Sequence, residues 1–335
     1  MTAMDEIFAY RFDGLGGGLR VVPEELGQGG GQGAGQPGGE TGTPGFLWLH
    51  IRRDSEEGSA CLSRIGLDQF ILDALTAEET RPRCTVHGDG VLLNLRGVNL
   101  QPGAEPEDMV SVRFWIERGR IVGAWRRPLH AIEDLIEAIS RGQAPSTPGE
   151  LIARTALRLA DRAEPAVADL NEALDDLEEA ALFGNLSAET RKDLPRIRQK
   201  AIALRRFMVP QRDALTTMEI EDLGWLSERD RSRLREAAER VTRLGEELDA
   251  IRDRAQIVHD QIMDERAERM NRNMLVLSVV AAVFLPLGLV TGLLGINVGG
   301  IPGATSDTAF LVVCGLLAAI AALQVCLVRR FGLLG

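Results

Sequence analysis

Three aspartates in a long charged stretch are the first candidates for chemistry. Asp249, Asp253 and Asp260 recur at helical spacing. At ~100° per residue they lie opposite an apolar seam of Leu244, Leu248, Ile251, Ala255, Val258 and Ile262. Carboxylates stacked on one helix face attract and concentrate cations. An ordinary solvated face is the alternative. Cys84-x-x-His87 offers two zinc-type ligands, fewer than a zinc site needs, and strand packing is the better account of the pair. Gly29-x-Gly31-x-x-Ala34 has the spacing of a dinucleotide fingerprint, but no strand precedes it. It lies in the Gly/Gln-rich run 27–39, which reads as a flexible insertion. No Ser-His-Asp or Cys-His arrangement, phosphate loop or paired-carboxylate site stands out. Neither an enzyme nor a cofactor is therefore expected.

The chain around these residues has 335 residues, a net charge of −11 and four cysteines. That acidity excludes a basic nucleic-acid binder. Four cysteines and no export signal at the N-terminus fit a reducing compartment. The average hides two unlike parts, since Asp307 is the only charged residue between Met274 and Val328. Met274–Leu294 and Thr308–Val328 are each uncharged and long enough to cover the ~30 Å of a bilayer core. Two such lengths in succession favour a membrane hairpin over buried core helices. Arg266, Arg269 and Arg272 precede the first span, Arg329 and Arg330 follow the second, and the loop between has no Lys or Arg. The positive-inside rule then puts both termini in the cytoplasm and the loop outside. Pro286, Gly288, Gly292 and Gly295 on the first span suit either close helix packing or a pore-lining backbone.

The run FLPLGLVTGLLGIN, followed at once by VGGIPG, resembles the CorA family of divalent-cation channels and transporters. Gly295-Ile296-Asn297 stands where that family has Gly-Met-Asn, so the middle residue departs from the magnesium type. GINVGGIPG, with ETRPR at Glu79–Arg83 and MVPQRD at Met208–Asp213, is similar to the ZntB branch, associated with zinc. The resemblance implies a homopentamer in the cell inner membrane. The first span of each subunit would line a central pore, and Asn297 would ring the outer mouth. A carboxamide oxygen can accept hydrogen bonds from the water shell of a hard divalent ion, which dehydrates reluctantly. A helix C-cap is the other role for Asn297. On a five-fold axis the lining residues would be Gly292, Gly288, Leu285, Ala281, Leu277 and Met274. That face has no charge, histidine or cysteine to ligate zinc, so a passing ion would keep much of its water. Leu285, Leu277 and Met274 would be hydrophobic constrictions, or else packing residues. In the same pentamer Asp249, Asp253 and Asp260 would form acidic rings on the axis.

The expected fold is an α+β membrane protein. A cytoplasmic mixed α/β domain occupies 1–145, a helical hairpin 146–226, a stalk helix 227–273, the first span 274–294, the outward loop 295–307, the second span 308–328 and a cytoplasmic tail 329–335. Strands are expected at Phe46–Ile51, Val91–Leu95, Ser111–Glu117 and Arg120–Trp125, with short helices at Ile65–Leu75 and Ala131–Ser140. Long helices follow over Gly149–Phe183, Ala188–Thr217 and Glu228–Leu294. The first is acidic between Asp169 and Glu179 and the second is basic over Arg191–Arg212, which suggests an antiparallel pair aided by ion pairs. The expected function is gradient-driven transport of divalent cations, zinc first. A magnesium or cobalt channel and a membrane-tethered sensor or scaffold are the alternatives.

Overall fold

The computed structural model describes residues 5–22, 45–78, 81–183, 190–296, 301, 303 and 306–330. The insertion at 27–39 and Asn297 lie outside the described residues. The chain divides into two units, Met1–Ile257 and Val258–Gly335. The first is built on a seven-stranded sheet made of β1 (Ile7–Phe12), β2 (Gly18–Val21), β3 (Phe46–Arg52), β4 (Arg83–His87), β5 (Gly90–Gly97), β6 (Val110–Glu117) and β7 (Arg120–Trp125). Their order is β2-β1-β3-β7-β6-β5-β4, antiparallel except for the central β3–β7 pair. β5 and β7 are buried along most of their length, as expected of strands covered on both faces.

One face packs on α1 (Glu56–Arg64) and α2 (Gln69–Thr76), burying Leu49, Ile51, Leu62, Leu75, Leu92 and Trp115. The helix expected over Ile65–Leu75 is corrected here to α2, which starts only at Gln69, and α1 before it has no counterpart among the expected elements. Gly66, at φ +68°, separates them, and Asp68 caps the second by accepting the Phe70 N–H at 2.7 Å. The α2 C-terminus is held by one arginine of β6 and one that follows β3. Buried Arg113 donates to the Leu75 carbonyl at 2.7 Å, and Arg53 to that of Ala77 at 3.0 Å. These take up carbonyls that a helix end leaves unpaired.

The opposite face begins with an aromatic row. Phe8 meets Trp48 edge-on at 5.2 Å, and Phe12 stacks on Phe46 at 4.5 Å. His50 lies inside this row, and burial pushes its pKa down to about 3, so it stays neutral. Its register partner Gly123 has no room for a side chain, because a Cβ there would run into the His50 ring. Gly123→Ala is expected to cost about 1–3 kcal/mol through overpacking. Urea unfolding followed by tryptophan fluorescence checks this, since all four tryptophans (48, 115, 125 and 225) belong to this unit. An unchanged midpoint would mean that the His50 ring moves aside at no cost.

Beyond this sheet lie α3 (His130–Ser140), α4 (Pro148–Leu182), α5 (Thr190–Ile220) and α6 (Glu228–Leu294). α5 docks on β5 through the MVPQRD string. Met208 and Gln211 are buried, the Gln211 side chain accepts the Arg96 N–H at 2.7 Å, and the Arg96 guanidinium lies 4.3 Å from the centre of the Phe207 ring. α4 and α6 start side by side. Thr147 caps α4 by accepting the Glu150 N–H at 2.9 Å, Ser227 caps α6 by accepting that of Asp230, and the Thr147 hydroxyl donates to Asp230 at 2.9 Å.

The expected charge pairing of the α4–α5 hairpin is not what forms. Among the described residues no ion pair joins α4 to α5. The acidic α4 residues Asp175 and Glu178 pair instead with Arg254 of α6, whose Nε reaches Glu178 at 3.0 Å. On α5, Lys200 pairs with Glu105 and Glu107, and Arg205 with Asp249 of α6. Opposite charge on sequence neighbours does not choose partners when a third helix is packed alongside. In the second unit, the apolar part of α6 is followed by α7 (Ala309–Arg330). Both helices are long and apolar enough to cross a membrane.

Candidate functional site

The pore reading depends on which face of the first span is left uncovered. Along α6 the half-buried positions Val279, Val283, Leu287 and Val290 form one stripe at helical spacing. α7 has a matching half-buried stripe at Val313, Leu317, Ile320, Gln324 and Val328, and the two helices are tied by a hydrogen bond from Gln324 to the Ala282 carbonyl. Met274, Leu277, Leu285, Gly288 and Gly292 are exposed, and each is rotated by ~100–200° from the nearest stripe residue. Ala281 is the exception, being half-buried. A Cβ added at Gly288 or Gly292 would meet nothing within 4 Å, so these glycines are not required by packing inside this unit. Their small size leaves backbone open on the uncovered face.

The span ends where the sequence changes character. The Gly295 N–H donates to the carbonyls of Thr291 and Gly292 at 2.9 and 3.1 Å, closing the last turn. Ile296 is exposed and Asn297 lies outside the described residues. Thr291 escaped the sequence reading. Its hydroxyl donates to the Leu287 and Gly288 carbonyls at 2.9 and 3.1 Å, so a polar group is satisfied within its own helix near the mouth.

The three aspartates do not share one environment. Asp249 is half-buried against α5, paired with Arg205 and with Arg252 at 2.9 Å. Asp253 is exposed and also pairs with Arg252, at 2.8 Å. Asp260 is exposed and belongs to the second unit. An arginine beside a carboxylate offsets the field it presents to a distant cation, so the first two attract cations less than a count of charges suggests.

Cys84 and His87 lie on β4, where residues three apart point to opposite faces. The His87 ring stacks on Phe70 of α2 at 5.0 Å. Cys84 is on the other face, and burial, with the Glu221 carboxylate nearby, pushes its thiol up to about 12. A thiol that resists ionisation and a histidine on the far side of the sheet do not form a zinc site. Among the described residues no group of three or more His, Cys, Asp or Glu could hold a metal ion.

The family model of the CorA-like Mg2+ transporter protein matches residues 44–330. The chain is 37% identical over 326 residues to the divalent cation transporter CmaX of Pseudomonas aeruginosa, covering 97% of this chain and 95% of the relative. It is 32% identical over 318 residues to the zinc transport protein ZntB of Yersinia enterocolitica, covering 95% and 92%. Its fold is similar to the solved structure of the full-length CmaX protein, with a TM-score of 0.80 and 36% identity over 98% of this chain and 99% of that one. The chain therefore belongs to the CorA family of divalent-cation transporters, in its ZntB-like branch.

Proposed function

We propose that this protein carries zinc across the inner membrane as a homopentamer, with the first span of each subunit lining the pore. Both termini lie in the cytoplasm and the 295–307 loop faces outward. Gly295, Ile296 and Asn297 form the ion-selecting mouth. Met274, Leu277, Ala281, Leu285, Gly288 and Gly292 line the path, and Asp249, Asp253 and Asp260 act on the cytoplasmic approach. The observation that carries the reading is the uncovered face of the first span, apolar and glycine-rich, leading to the Gly-Ile-Asn end in a chain whose relatives include zinc transport proteins. An ion on that face meets no charge, histidine or cysteine, so it travels hydrated, and the leucines act as constrictions that dewet. The spans hold no carboxylate or histidine, so any proton coupling uses groups outside Met274–Leu294 and Thr308–Val328.

A second reading is a less selective divalent carrier, favoured by the match to a relative named only for divalent cations. Purified protein in liposomes, assayed for zinc, magnesium and cobalt uptake with and without an imposed pH gradient, separates the two. Zinc uptake well above magnesium uptake is expected, and equal rates would favour the broader carrier. No divalent flux from pure protein would overturn both readings and leave a membrane-tethered sensor.

A further inference from the structure

Pro286 stands inside the membrane-length part of α6. Proline has no N–H to donate to the carbonyl four residues earlier, so the Ala282 carbonyl loses its helical partner. In hydrocarbon an unpaired backbone carbonyl costs several kcal/mol, and no water is there to relieve it. The missing donor comes from the other span, because Gln324 Nε2 donates to the Ala282 oxygen at 3.3 Å. Gln324 is the only strongly polar side chain between Thr308 and Val328, and it sits within the half-buried stripe of α7. Its amide oxygen is buried with no partner among the described residues. The side chain is thus held by its donor end, at the one carbonyl that Pro286 deprives.

We infer that Gln324 is a positioning residue for transport, its side-chain amide replacing the backbone N–H that Pro286 lacks and so fixing the pore span against α7. The inference rests on reading the first span as the pore helix. Leu285 precedes the proline and Gly288 follows two residues after it, so a loss of register at Ala282 would move the candidate lining on both sides of the break. Neither span can make this contact alone. Proline creates the vacancy and glutamine fills it, which makes the two side chains energetically dependent on each other.

That dependence sets the test, a cycle of wild type, Gln324→Leu, Pro286→Ala and the double variant, each as full chain. In liposomes, Gln324→Leu is expected to lower the maximal zinc uptake rate about fivefold, which is ~1 kcal/mol, within the range measured for hydrogen bonds between membrane helices. The half-saturating zinc concentration should not change, since the mouth is untouched. In the Pro286→Ala background the same change should cost less than about twofold, because the introduced alanine supplies its own N–H to the Ala282 carbonyl. Hydrogen exchange of the peptide Val279–Val290 in detergent provides a readout independent of flux. Gln324→Leu should speed exchange there when residue 286 is proline and leave it unchanged when it is alanine. An equal effect of Gln324→Leu in both backgrounds, in rate and in exchange, would overturn the inference. If wild type carries no zinc, the transport reading fails while the exchange cycle still judges the contact.

Discussion

Replacing Glu150 by alanine is expected to destabilise the sheet-containing unit by about 3 kcal/mol, within the range for breaking a buried ion pair from one side. Glu150 is 6% exposed at the start of α4. Its carboxylate accepts the Ser146 N–H at 2.9 Å and the Ser146 hydroxyl at 2.7 Å, and it pairs with Arg154 at 2.6 Å and with Arg233 of α6. Alanine would leave two arginines, each with only about a quarter of its side chain exposed, facing no carboxylate, and the Ser146 N–H without its partner. The same residue links stability to pH. Burial pushes its pKa upward, but the Ser146 donors and the two guanidinium groups outweigh this and hold it down at about 2. A carboxyl group with a depressed folded-state pKa stabilises the native state above its unfolded value and loses that contribution as pH falls through the folded value. Against an ordinary value of 4.5, the loss should run from about pH 4.5 down to about pH 2. Glu150→Gln should flatten wild-type acid sensitivity across that window while lowering stability at pH 7. Tryptophan-monitored urea unfolding at several pH values measures both. A variant as stable as wild type at pH 7 would show that the cluster contributes nothing net.

The Glu150 cluster also marks where reading the sequence stops. β5 and the two spans are visible from a distance because their apolar runs are continuous, and no other element competes for such a pattern. β2 and β4 are not. β4 is a short edge strand with a polar, half-exposed composition, and β2 is exposed almost throughout. The strand identity of β2 and β4 comes from the neighbours they pair with, which no local pattern records, whereas β1 (IFAYRF) carries a strand-like aromatic run that the expected elements omit. α1 is hidden for a related reason, since EEGSACLSR buries only Gly58 and Leu62 and has little apolar periodicity to detect. The charge partners are harder still. Arg254 is 76 residues from Glu178 in the chain, and Arg233 is 83 from Glu150, so each pair depends on how α4 and α6 lie together.

Within the membrane unit the legible and illegible parts divide at a single contact. That Pro286 must orphan the Ala282 carbonyl follows from the backbone alone, and that Gln324 is the one strongly polar group in the second span is evident by inspection. Their meeting depends on the antiparallel register of the hairpin, which the uniform apolar composition of both spans leaves undetermined. The candidate pore face is easier to define. A helix packed on one side by a single neighbour leaves its other side open, and the spacing of Leu285, Gly288 and Gly292 already places them together. The acidic rings are less secure for an electrostatic reason. The spacing of Asp249 and Asp253 says nothing of Arg205 and Arg252, which take up part of their charge.

Asn297→Ala is the variant expected to affect transport most, with zinc uptake into liposomes falling at least about tenfold. In the proposed pentamer five carboxamides accept hydrogen bonds from the water shell of one ion at the outer mouth. Each such bond is worth ~0.5–1.5 kcal/mol net, so a ring of five adds several kcal/mol, and every ~1.4 kcal/mol is a factor of ten. Alanine removes all five acceptors at once because the sites are repeated by symmetry. The candidate lining beneath the mouth offers no carboxamide or carboxylate to replace them, since it is glycine, leucine, alanine and methionine. The half-saturating zinc concentration should rise together with the loss of rate, which separates this variant from Gln324→Leu, where only the rate should fall. Unchanged tryptophan fluorescence and an unchanged unfolding midpoint would confine the effect to the membrane unit. A faster uptake after the substitution would mean that the asparagines obstruct the mouth instead of holding the hydrated ion, and would overturn the role assigned to them here.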